Sequence, residues 1–186
     1  SKLSFSLILF VSTHAFGQDW GVEDANLAAC LDQAAAENNW HKATDFTELK
    51  CHNQGIRSTK GLQTFNRLER LSLYRNEIAE IDITALKNLL HLNIAKNNLT
   101  TLHINNQPTL EELFVFVNPM KPITLENLPQ LTLVKANACR LESLAYSNLP
   151  TLAKLYLVDS QLEFIDIYKL PAAKYMDVRQ NPMPDD

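Results

Sequence analysis

Four glycines in 186 residues is a small supply, and none follows Gly61. Phosphate-cradling glycine loops and glycine hairpins are thereby excluded from the C-terminal two thirds, where asparagine and proline must turn the chain. Cysteine is as scarce: Cys30, Cys51 and Cys139 include no C-x-x-C pair. The histidines, His14, His41, His52, His91 and His103, form no H-x-x-x-H pair, and no acidic calcium loop occurs. Neither a structural nor a catalytic metal is expected from such a set, and no cofactor. G-x-S-x-G and the dinucleotide fingerprint are missing too, so nothing assembles a catalytic site and the chain reads as a non-enzyme. Positive charge is in deficit, with 17 Lys and Arg against 21 Asp and Glu, a formal net charge of −4. Without clustered cations, nucleic acid is not expected as a partner. The chain also lacks an apolar run long enough to span a bilayer.

The one marked apolar run, Leu3 to Val11, stands in a distinctive setting. Lys2 precedes it as the only charge in the first 17 residues, and Ala15-Phe16-Gly17 follows, just before Gln18. A short positive end, a hydrophobic stretch and a small-x-small site are the layout of a secretory signal peptide, here residues 1–17, cleaved near Gly17/Gln18. The alternative is a buried strand of the folded domain. An exported chain, periplasmic or secreted, is the expectation.

What the sequence has in abundance is a period. Leu68, Leu71, Leu73, Asn76 and Ile78 fit L-x-x-L-x-L-x-x-N-x-L without a mismatch. The pattern returns at Leu89, Leu92, Ile94, Asn97, Leu99, then at Leu110, Leu113, Val115, Asn118, Met120. Further copies place Cys139, Ser160 and Asn181 in the asparagine column, and a degenerate first copy reads Phe46, Leu49, Cys51, Gln54, Ile56. The second apolar position falls at 49, 71, 92, 113, 134, 155 and 176, one step of 22 and then five of 21. The back of each unit repeats the motif, as in Leu99, Leu102, Ile104, Gln107 and in Leu162, Ile165, Ile167, Leu170. Prolines 108, 129, 150 and 171 keep the same spacing, as a residue without a backbone donor does at a corner between strands.

These motifs resemble the leucine-rich-repeat superfamily, and specifically its nested 21-residue (IRREKO-type) bacterial class, over about residues 46 to 183. The resemblance implies a solenoid, α/β or mostly β, with a parallel β-sheet on the concave face and short strands or turns on the opposite face. About seven units fill residues 46–186. Inward L-x-L side chains form the core, and each asparagine amide satisfies backbone groups at the inner turn. Thr59, where an apolar residue belongs, predicts an irregular first back half. In the same column as the asparagines, Cys139 is expected to be structural and reduced.

Residues 18–45 precede the repeats. Leu27, Cys30, Leu31 and Ala34 give residues 23 to 39 a helical apolar face, and the first unit, with Gly55-Ile56 and Gly61-Leu62, is similar to internalin-type repeats. A helix on the first coil is the N-terminal cap which that similarity implies, with Trp20 and Trp40 sealing its ends. Cys51 points inward from the first strand toward this helix, and an exported protein permits a bond, so a Cys30–Cys51 disulfide is expected; two separate buried thiols are the alternative.

Outward residues are free of core duty and carry any function. Phe114, Phe116 and Val117 read as an exposed apolar knot in mid-sheet, with Tyr74, Tyr156 and Val158 on flanking strands and Arg75, Lys96 and Lys135 around them. An aromatic centre with a charged rim has the composition of a protein-binding hot spot. Packing of each ring on its neighbouring strands is the plainer reading. The opposite face, with Asp82, His103, Glu126 and Asp166 outward, reads as polar and solvated. The expected function is protein recognition through the concave sheet. A self-associating envelope protein that dimerises through the same patch is the alternative. Less favoured are a carbohydrate binder and the non-catalytic part of a larger enzyme.

Overall fold

The structure, a computed structural model, describes residues 17–184. Seven units each contribute one three-residue strand to a parallel sheet: β1 (Glu48–Lys50), β2 (Arg70–Ser72), β3 (His91–Asn93), β5 (Glu112–Phe114), β7 (Leu133–Lys135), β9 (Lys154–Tyr156) and β10 (Tyr175–Asp177). Three longer back-half strands, β4 (Leu102–Asn105), β6 (Pro122–Glu126) and β8 (Ser143–Ser147), form a second parallel sheet. Partners in the ladder sit one repeat apart: Leu49 faces Leu71, then Leu92, Leu113, Val134, Leu155 and Met176 in turn. The period in sequence thus becomes a set of columns in space. Within each column alternation drives one side chain inward, and Leu71, Leu92 and Leu113 are fully buried. Burying one such leucine contributes roughly 2 kcal/mol, and its ladder partners lie in the adjacent coils.

The asparagine column is the polar counterpart of this core. Asn118, 2% exposed, donates Nδ2 to the carbonyls of Ile94 and Val115, and its Oδ1 accepts from Leu99 N–H. Asn97 bonds likewise to Leu73 and Ile94 and receives Ile78 N–H. Each amide therefore ties its own coil to the one before. Asn76 and Asn181 do the same at the two ends of the column. Cys139 keeps the place with a single S–H aimed at Val115 O and Asn137 O, while Ser160 Oγ accepts Leu141 N–H.

Helix α1 (Ala25–Asn38) caps the first coil, burying Leu27, Cys30, Leu31 and Ala35. Asp24 starts it through Oδ1, which accepts from Asn26 and Leu27 N–H; Asp24 Oδ2 accepts from Arg57 and Ser58 N–H on the first back half. One carboxylate thus begins the helix and fixes it to the solenoid. Asn39 ends the helix in the left-handed region. Cys30 and Cys51 are disulfide-bonded, with Cα atoms 6.0 Å apart. Trp20, Trp40 and Phe65 pack around Phe46, with ring centroids 5.2, 4.7 and 5.0 Å from it. Gly61, at φ +96°, lies where a Cβ would strike the Gly21–Val22 backbone.

The signal-peptide reading, residues 1–17, lies outside the described residues but for Gly17. Among the described residues no helix is long and apolar enough to cross a membrane. The first back half forms no strand but a 3-10 turn at Leu62–Thr64, and the second, Ile78 to Leu86, which has no such mismatch, forms no strand either. One expectation fails at the other end. Ile167, placed inward by the repeat, is 59% exposed, and Phe164 and Tyr168 are 76% and 93% exposed, so this stretch of the opposite face is not polar. Here Asp166 Oδ1 accepts Tyr168 N–H and a 3-10 turn at Ile167–Lys169 replaces the extended back half, leaving Ile167 out of the column. Tyr146, one repeat earlier, donates its hydroxyl to Asp166 O.

Candidate functional site

The seven-stranded face carries every residue singled out for partner binding, but not as a single knot. Phe114 and Phe116 are half-buried rather than freely exposed, because each ring leans on adjacent strands. They belong to two separate rows. In one, His91 and Phe114 lie 4.9 Å apart by ring centroid, Lys135 Nζ stands 5.5 Å from the Phe114 ring and 5.4 Å from the Tyr156 ring, and Tyr156 lies 5.2 Å from Tyr175. In the other, His52, Tyr74 and Phe116 follow one another at 5.7 and 6.3 Å, across the small buried Ala95. These are ordinary spacings for edge and offset ring contacts, each adding about 1 kcal/mol beyond burial. Lys96 Nζ sits 5.6 Å over Tyr74. Val158 is half-buried, its N–H donating to Asn137 Oδ1.

Arg75, Lys96 and Val117 are not strand residues. With Asn53, Ala138, Asp159 and Gln180 they form a column in the left-handed region, φ between 53° and 61°, where every coil turns off the sheet. Asparagine tolerates that conformation; a β-branched valine does not. Val117 nevertheless holds it at φ 55° with 44% of its surface exposed, so the side chain gains little packing in return. Val117→Asn is expected to raise stability by about 1 kcal/mol through relief of that backbone cost. Urea unfolding measures this, and an unchanged midpoint would mean that the valine's contacts offset the strain.

Two residues of the face escaped notice in the sequence as part of the site. Tyr175, 47% exposed, and His91 belong to the outward column two residues before Phe114's, which the same alternation marks. Ser72, in Phe114's own column, is buried, and His52 Nε2 lies 2.6 Å from its Oγ. Burial, and then the charge of Lys50, holds His52 below the usual histidine range. No carboxylate bonds the other His52 nitrogen among the described residues, so the pair lacks the orienting third group of a nucleophilic triad. A shallow recess beside it is lined by Glu48, Lys50, Arg70 and His91. On the face's acids, Glu48 meets Lys50 at 3.1 Å, Glu112 meets His91 at 2.9 Å, and Asp177 meets Arg179 at 2.7 Å.

Cys139 is the lone free thiol, buried, and burial pushes it up to about 11. A thiol reagent at pH 8 is therefore expected to leave the folded protein unlabelled and to modify one site after unfolding in urea under non-reducing conditions. Rapid labelling of the native protein would contradict this burial.

The chain has the leucine-rich-repeat solenoid fold of the internalins, the class its stacked columns and helical cap define. Among solved structures it is similar to an internalin, InlF, from Listeria monocytogenes, with TM-score 0.58 and 20% identity, over 88% of this chain and 58% of that one. It is similar as well to internalin C2 of the same bacterium, with TM-score 0.50 and 20% identity, over 87% of this chain and 86% of that one. This chain thus spans little more than half the length of the first. No family model matches the sequence, and no curated protein does.

Proposed function

We propose that this protein is an exported recognition module that binds a protein partner through its seven-stranded face. The observation that carries the reading is Val117, an apolar side chain kept exposed in a conformation that costs stability, beside Phe116 and next in its column to Lys96. A site that gives up folding energy for surface shape is the expected signature of selection for contact rather than for packing. The internalin-type fold supports the reading by supplying a rigid sheet on which such residues hold fixed positions. A signal peptide over residues 1–17 and a disulfide at Cys30–Cys51 fit export to an oxidising compartment. Residues 18–45 are then the cap and 46–186 the recognition solenoid.

The test compares the parent with a Phe116→Ala, Val117→Asp variant and a back-face Thr124→Asp variant, all checked for unchanged circular dichroism. Envelope extract of the producing cell and foreign cell-surface extract serve as bait. A protein held by the parent and by Thr124→Asp but lost by the double variant supports the reading. Equal capture by all three, or none, removes it. Sedimentation of the same proteins covers self-association: a dimer dispersed only by the double variant would make a second copy the partner.

A further inference from the structure

Charge on the seven-stranded face is distributed against the grain of the molecule. The chain is net acidic, yet on this face Glu48 and Asp177 are paired with Lys50 and Arg179 and Glu112 is hydrogen-bonded to His91, while Asp159, two coils past Val117, meets no cation within 4.0 Å among the described residues. The cations around Phe116 and Val117 are not neutralised in that way. Among the described residues Arg75, Lys96 and Lys135 meet no carboxylate within 4.0 Å, and the two lysines rest over aromatic rings instead. Rings stabilise an ammonium without cancelling its charge, so the field of these three groups reaches solvent. Lys96 and Lys135 belong to the coils on either side of the one that carries Val117. Lys96 stands next to Val117 in the left-handed column and Lys135 stands level with Phe114, so the two cations lie on opposite sides of the Phe116–Val117 coil, one in each row.

From this arrangement we infer that the partner presents an acidic segment, in which an apolar or aromatic side chain is flanked by carboxylates. The inference rests on the recognition role proposed above and specifies its chemistry. The apolar residue covers Phe116 and Val117, and the carboxylates reach Lys96 and Lys135. Charge matching sets approach rate and register, while the apolar contact supplies holding strength. Nucleic acid offers the same negative charge but needs open ring faces for its bases. Here the Tyr74, Phe114 and Tyr156 rings are covered by lysine ammonium groups, which a stacked base would have to displace.

The experiment uses four immobilised probes: a random Glu–Tyr copolymer, a Glu homopolymer, a Lys–Tyr copolymer and an oligothymidylate. The parent is expected to bind the Glu–Tyr copolymer at least tenfold more tightly than any other probe, with affinity falling as salt rises. Lys96→Glu, Lys135→Glu together are expected to weaken that binding at least tenfold. Lys121→Glu, which breaks only an exposed pair with Glu142 on the back of the solenoid, is expected to leave it unchanged. Equal binding of the Glu–Tyr and Lys–Tyr copolymers, preference for the oligonucleotide, or indifference to the lysine reversals would each overturn the inference. Capture of a protein partner that Phe116→Ala, Val117→Asp abolishes but the lysine reversals do not would overturn the acidic preference alone and leave the recognition role standing.

Discussion

Replacing Asn118 by alanine is expected to destabilise the protein by about 3 kcal/mol, more than any surface substitution. Alanine removes both donors and the acceptor at once. It leaves the carbonyls of Ile94 and Val115 and the N–H of Leu99 without partners, at a site closed to water. Each such bond is worth about 1 kcal/mol net, and an orphaned buried group costs as much again or more. Asn118→Cys should fall between parent and alanine, because Cys139 already fills the equivalent place with one shared S–H. Equilibrium urea unfolding gives the ranking. Alanine and parent unfolding within about 0.5 kcal/mol of each other would show that water enters the turn and takes over the amide's bonds.

Loss of the Cys30–Cys51 bond carries the second large effect. It closes a loop across a sequence separation of 21 and joins the cap to the first coil. Cross-linking a loop of that size contributes about 3 kcal/mol by restricting the unfolded chain. For a protein of this length that corresponds to a fall in melting temperature of roughly 10 °C on adding reductant. Cys51→Ala should reproduce the fall and make the melt insensitive to reductant, since Cys139 remains a buried thiol either way. A melt that reductant does not shift would mean that Leu27 and Leu31 alone hold the cap in place.

The sheet could be read from sequence because its determinant is local and repeated. Leu71, Leu92 and Leu113 lie one period apart and become ladder partners, so the period itself gives the register. The cap was legible for a similar reason, since Leu27, Cys30 and Leu31 line one helical face and Cys51 lies under it. Less could be read of the face. Alternation tells inward from outward but not how far a ring leans, and so it described Phe114 and Phe116 as exposed when neighbouring strands half-cover them. It also continued the strand into Val117, because a left-handed turn leaves no mark in hydrophobicity. The recurrence of asparagine, aspartate and basic residues at Asn53, Arg75, Lys96 and Asp159 was the only trace of that turn. Ile167 was misplaced because its stretch closes into a 3-10 turn, which the apolar spacing does not distinguish from the back half of Ile83, buried although Asp82 makes the same cap as Asp166.

The polar column is not uniform along the stack. Asn76, Asn97 and Asn118 each clasp two carbonyls and at least one N–H, but at the next two levels Cys139 offers one weak donor and Ser160 is held by one accepted bond, before Asn181 restores the full set. In a nearest-neighbour stack, weaker clasps at adjacent levels define a seam, and thermal opening begins there rather than spreading evenly. The seam falls just beyond the coil that carries Phe116 and Val117. The coils past the seam, which carry Tyr156 and Tyr175, are therefore expected to open before the disulfide-anchored coils that precede it.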